Sequence, residues 1–124
     1  MNKVKITLWD REFDIGVSYS CYSGEEITDN QKKAVVNFCE QEKCIADILD
    51  NLKDYVEKNN ENGLKAEDIE NIFKYVMPKS LFVPRADKEI IAIMCNYKFD
   101  MENGIAVVFE NGKLKEIGTQ DIIL

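Results

Sequence analysis

The sequence predicts an α+β fold: an N-terminal β-hairpin, a three-helix middle segment and C-terminal antiparallel strands, forming one largely antiparallel sheet. Three observations carry that expectation. Apolar residues alternate near the N-terminus, the period of a half-buried strand, and fall in short continuous runs in the C-terminal half, as in a strand covered on both faces. They recur every three or four residues in the middle, which is the period of a helix face. Pro78 separates the two patterns, because proline cannot continue a helix. The chain has 124 residues, 45% of them apolar and 31% charged, so residues 1–124 are expected to form a single domain with its own core.

The elements follow in order. Val4, Ile6 and Leu8 alternate with polar residues, and so do Phe13, Ile15, Val17 and Tyr19; a polar turn at Asp10-Arg11-Glu12 joins them as a hairpin. Thr28 and Gln31 have capping-box spacing, in which each side chain satisfies the other's backbone N–H, and Ala34, Val35 and Phe38 form the stripe of the helix that follows. The second helix carries Ile45, Ile48, Leu49, Leu52, Tyr55 and Val56 on one face and Asp47, Asp50, Asp54 and Glu57 on another, ending at Asn59-Asn60 and Gly63. A third helix is expected over about Ala66 to Val76, burying Ile69, Ile72, Phe73 and Val76, with a Glu70–Lys74 pair at i, i+4. Leu81 to Val83, closed by Pro84, reads as a short edge strand. Glu89 to Tyr97 is apolar on both faces and reads as a central strand. Ile105 to Phe109 and Lys113 to Thr119 flank Asn111-Gly112, a type I′ hairpin signal in which both residues accept positive φ.

Composition excludes several function classes. There is no histidine, which removes every mechanism that needs an imidazole. Sixteen basic against 23 acidic residues give a net charge of −7, which repels phosphate backbones; Lys32-Lys33 and Lys113/Lys115 are too small for a nucleic-acid footprint. Nothing approaches the ~18 apolar residues of a membrane span, so no membrane partner is expected. Cys21, Cys39, Cys44 and Cys95 lack C-x-x-C spacing, which argues against a zinc site; with no export signal at the N-terminus, free thiols place the chain in the cytoplasm.

Candidate chemistry is sparse. Glu25-Glu26 are adjacent carboxylates in a loop. Asp100, Glu102 and Gly104 have a loose likeness to a calcium loop, but the glycine spacing fits a hairpin turn. Cys21 has no base to activate it, and Cys39 and Cys95 sit in apolar patterns as small core residues. No glycine-rich phosphate loop is present. Trp9, Tyr19, Tyr22 and Tyr97 fit packing better than a binding face. No catalytic, cofactor-binding or metal-ligating residue is therefore assigned, and no cofactor is expected.

Two segments are familiar: WDREFDIGVSYSCYSGEEIT, from Trp9 to Thr28, and IENIFKYVMPKSLFV with the tail GIAVVFENGKLKEIGTQDIIL, within Ile69 to Leu124. Together the chain resembles a family of small bacterial domains of unknown function. The resemblance carries no activity and no site residues; by analogy, small acidic α+β proteins of this kind occur in toxin–immunity loci.

The leading expectation is a non-catalytic interaction protein, immunity- or antitoxin-like, that binds a basic protein partner. Its contact residues would be Asp47, Asp50, Asp54 and Glu57, with Glu25 and Glu26 as a second patch. The alternative is a small-ligand-binding or enzymatic domain with a pocket near the sheet, close to Cys21 or Tyr97. Lys113, Lys115 and Pro84 blunt the strands expected at the edges, which argues against open strand pairing and leaves a monomer or a homodimer through helices.

Overall fold

The computed structural model describes residues 3–9, 11–19, 28–40, 48–60, 63–84, 88–111 and 113–123. Six strands form one sheet in sequence order: β1 (Lys3–Leu8), β2 (Arg11–Tyr19), β3 (Val76–Val83), β4 (Ile90–Tyr97), β5 (Ile105–Glu110) and β6 (Lys113–Gly118). Four neighbouring pairs are antiparallel, but β2 and β3 run parallel, with Gly16 to Tyr19 opposite Ser80 to Val83. The sheet is therefore mixed. A parallel pairing needs a long crossover, and the stretch between β2 and β3 supplies it. It holds the two described α-helices, α1 (Asp29–Glu40) and α2 (Leu49–Lys58).

Alternation puts one face of the sheet against the helices. Ile6, Leu8, Ile15, Val17, Leu81, Ile93, Val107 and Phe109 join Val35 and Phe38 of α1 and Leu52 and Val56 of α2 in one core. Phe38 meets Phe109 edge-on at 5.2 Å between centroids. On the other face Ala92, Met94, Ala106 and Val108 are also buried, with Phe82, Ile90 and Ile123 packed against them. The expectation of a central strand buried on both sides thus holds for β4, and β5 shares that burial.

The capping box forms as spelled. The Thr28 N–H donates to Gln31 Oε1 at 2.8 Å, and the Gln31 N–H to Thr28 Oγ1 at 3.2 Å. Buried Gln31 also donates Nε2–H to the Val83 carbonyl at 3.1 Å, tying the start of α1 to the end of β3.

Four expectations are corrected. The third helix is replaced by two single 3₁₀ turns, Ala66–Asp68 and Ile72–Lys74, separated by extended backbone at Ile69 and Asn71. The Asn71 side chain accepts the Phe73 N–H at 3.1 Å, a local bond that competes with helix. Ile69, Ile72 and Val76 are buried as expected, but Val76 already belongs to β3. Leu81 to Val83 is no edge: it closes an eight-residue strand that lies between β2 and β4. Pro78 sits inside β3 where the register shifts between Pro78 and Ser80, and a bulge tolerates the missing N–H. The first hairpin turn is tighter than three residues. Leu8 pairs with Arg11, and Trp9 takes φ 51° in the loop. The sheet, finally, is mixed rather than largely antiparallel.

At the far end, Asn111 adopts φ 52° between Glu110 and Lys113, the conformation that the hairpin signal requires. The chain after β6 folds back on the β4–β5 turn. The Gln120 N–H reaches the Asn103 carbonyl at 3.1 Å, and its side-chain amide reaches the Cys95 carbonyl at 3.0 Å. Gly104 makes this contact possible: its φ is 61°, and a Cβ there would lie 2.6 Å from the Cys95 carbonyl oxygen.

Candidate functional site

Helix α2 has two faces with different chemistry. Leu52 and Val56 are fully buried, and Ile48 just before the helix is 6% exposed. At about 100° per residue, Asp50, Asp54 and Glu57 fall on the opposite side. Asp50 and Asp54 are exposed and Glu57 is half-exposed. Lys53 and Lys58 border this strip. Among the described residues the ion pairs are Lys5–Glu12, Lys88–Glu110 and Lys115–Glu110, so no lysine neutralises the strip directly. Three of the six residues expected to bind a partner are therefore brought together on one outward face. Asp47, Glu25 and Glu26 lie outside the described residues, as do Cys21, Tyr22 and Cys44.

The end of α2 is built by two asparagines. Asn59 donates Nδ2–H to the Tyr55 carbonyl at 2.8 Å. The Asn60 side chain donates to the carbonyls of Val56 at 2.6 Å and Leu64 at 3.1 Å and accepts the Leu64 N–H at 3.0 Å. These bonds satisfy orphan carbonyls of the last turn and fix the chain that leaves it. Gly63, at φ 73°, completes the reversal. From the sheet, the Tyr97 hydroxyl donates to the Asn59 carbonyl at 2.7 Å, anchoring the helix end to β4.

Beside this anchor lies a cleft of about 480 Å³, lined by Tyr55, Lys58, Tyr97, Phe99, Asp100 and Thr119 among others. A second cleft, of about 550 Å³, shares Tyr55 and Lys58, takes Asp54 as a wall and runs to Leu114 through Ile117 on β6 and its neighbours. Tyr97, named in the alternative expectation of a pocket near the sheet, lines the first of these clefts. Tyr55 and Tyr97 pack with centroids 6.2 Å apart, and Phe99 meets Tyr97 edge-on at 5.6 Å.

Two phenols of this cleft are shifted by their surroundings. Burial, then Tyr55 and Asp100, push the Tyr97 phenol up to about 12. Burial, then Asp100 and Asp121, also push Tyr55 up. Both phenols stay protonated at neutral pH, and a phenol held so high is a poor base. Asp100 accepts the Asn103 N–H at 3.2 Å and its side-chain amide at 3.1 Å, so its carboxylate is engaged within the β4–β5 turn. That is the hairpin-turn reading of Asp100 to Gly104. Among the described residues, no three acidic or thiol side chains converge as metal ligands would. Cys95 is buried, and burial pushes its thiol far up, which leaves it a core residue.

Asn59-Asn60, a helix stop by its residue types, also lines the cleft, which no local pattern in the sequence marks. The same holds for Lys58, Phe99 and Thr119. The Asn59–Tyr97 bond spans 38 residues, and no local pattern announces such a contact.

Comparison with known proteins identifies the family. Residues 1–124 match the family described as Domain of unknown function (DUF6985), and the chain belongs to it. No curated protein and no solved structure matches the chain. Among the described residues no helix is long and apolar enough to cross a membrane.

Proposed function

We propose that this DUF6985 chain is a non-catalytic interaction protein that binds a basic protein partner through the outward face of α2. In this reading it acts as an immunity- or antitoxin-type inhibitor in the bacterial cytoplasm, blocking its partner by occupancy. The observation that carries it is the alignment of Asp50, Asp54 and Glu57 away from the core, none of them in an ion pair among the described residues. Asp47, three residues earlier in sequence, belongs to the same expected contact set, with Glu25 and Glu26 as its second patch. A basic toxin, such as one acting on an anionic substrate, would be steered to such a face.

The test is capture of partners from the native lysate at low and high salt by wild type and by the double variant Asp50→Lys/Asp54→Lys. We expect one stoichiometric basic protein, released as salt rises, and at least about tenfold weaker binding by the variant. Both residues are exposed, so the thermal midpoint should stay nearly unchanged. Undiminished capture by the variant would remove the assignment of this face.

A second reading is favoured by one observation, the cleft of about 480 Å³ beside Tyr55 and Tyr97. Its volume lies in the range of small-molecule sites, and the Tyr55 phenol offers a hydrogen-bond donor, that of Tyr97 being given to the Asn59 carbonyl. Ligand binding that shifts the Tyr55 and Phe99 resonances, together with no protein partner at either salt, would favour this reading.

A further inference from the structure

The acidic balance of the chain hides a local reversal. Lys74 ends the second 3₁₀ turn, Lys79 lies at the bulge of β3 and Lys98 follows β4. Lys98 is distant in sequence from Lys74 and Lys79, but the β3–β4 register sets Met77 opposite Asn96 and brings Lys98 to the same end of the strand pair. A backbone bond from the Lys98 N–H to the Tyr75 carbonyl, at 2.8 Å, closes that end. There the three lysines line one cleft of about 420 Å³. Its other walls are aromatic, thioether and amide, and include Tyr75, Met77 and Met101. Among the described residues no carboxylate lines it. Asp68 lines an adjoining cleft that shares Tyr75 and Lys98.

Four features make this more than a scatter of surface lysines. All three are exposed, and among the described residues none joins an ion pair, although the protein carries 23 acidic residues. The helical pairing of Glu70 with Lys74 is lost because the segment breaks into 3₁₀ turns, and Lys74 is left to face the cleft. Met101 is 64% exposed, an apolar side chain held in water beside the charges. Lys98 Nζ also stands 5.6 Å from the Tyr75 ring centroid, so charge and apolar surface meet at one point.

We propose that this cleft binds a small phosphate monoester carried on an apolar or aromatic body. Three ammonium groups suit a dianion better than a single carboxylate, and lysine serves phosphate as a point charge. Tyr75, Met77 and Met101 would cover the body; methionine adapts to irregular apolar shapes. The proposal stands apart from the α2 reading, since the two surfaces share no residue.

Titration of the full chain with phenyl phosphate, followed by amide and methyl NMR and by calorimetry, tests it. The expected result is 1:1 binding with shifts centred on Tyr75, Met77, Lys98 and Met101. Benzoate and inorganic phosphate should each bind at least about tenfold more weakly, and phenyltrimethylammonium should not bind there. Lys74→Ala and Lys79→Ala alter exposed side chains and should keep the wild-type thermal midpoint; each should weaken phenyl phosphate by about three- to tenfold. The proposal is overturned by no saturable shift at about 10 mM phenyl phosphate. Shifts centred on another surface, benzoate binding as tightly, or full affinity in both lysine variants would overturn it equally.

Discussion

The meander from β4 to β6 and the crossover from α1 to β3 are held by different means. In the meander, each strand pairs with its sequence neighbour through a short turn, and β4 and β5 are apolar on both faces, while the edge strand β6 adds only the partly buried Leu114 and Ile117 to the core. In the crossover, single polar side chains set the geometry: Gln31 reaches β3 across 52 residues, Asn71 breaks a helix, and Asn60 gathers the end of α2. Burial is non-directional, so it stabilises the meander without choosing between alternatives; hydrogen bonds are directional and select one path for the crossover.

That contrast is broken or sharpened by substitution. The largest effect belongs to the meander. Phe109 is 1% exposed and packs on Phe38, so Phe109→Ala should cost about 3–5 kcal/mol, read from urea unfolding. A loss below about 1 kcal/mol would mean that the core closes over the cavity and that α1 is loosely docked. Next comes Gln31→Ala in the crossover. It removes one half of the capping box, worth about 1 kcal/mol, and a donor to the buried Val83 carbonyl, worth about 1 kcal/mol more. Amide exchange should then speed up most in the first turn of α1 and at the end of β3. Uniform acceleration over the whole sheet would show that the crossover has no separate hold on the fold.

The same contrast explains what was legible in the sequence. The Asn111 turn, the Thr28–Gln31 box and the double-sided burial of β4 rest on neighbours along the chain, and each could be read from residue types alone. Residues 66–76 could not. Ile69, Ile72, Phe73 and Val76 fit one helix face, but the same spacing serves two 3₁₀ turns that run into a strand, and Asn71 tips the balance. The parallel β2–β3 pairing was equally hidden, because alternation marks strands without naming their partners. For the candidate site, the outward strip of Asp50, Asp54 and Glu57 was legible from helical period, whereas the clefts were not. Tyr97 meets Asn59 only through the tertiary fold, and Lys98 meets Lys74 and Lys79 only through the sheet register.

The smallest expected effect tests the joint between the two regions. Tyr97 belongs to β4, and its hydroxyl holds the last turn of α2 through the Asn59 carbonyl. Its pKa rises from 10.0 to about 12 on folding, so the native state keeps a proton that the unfolded chain releases first. The stabilisation is complete below pH 10 and falls as pH climbs through about 12. Tyr55, also raised, adds to the same slope. Tyr97→Phe keeps the ring against Tyr55 and Phe99 and deletes the hydroxyl. At neutral pH it should cost about 1 kcal/mol, and the stability gap between wild type and variant should narrow above pH 10 as the wild-type advantage titrates away. Urea midpoints of both proteins across that range decide the matter. A gap that stays constant up to pH about 12 would mean that the phenol titrates alike in both states, and that the grip of β4 on α2 is packing alone.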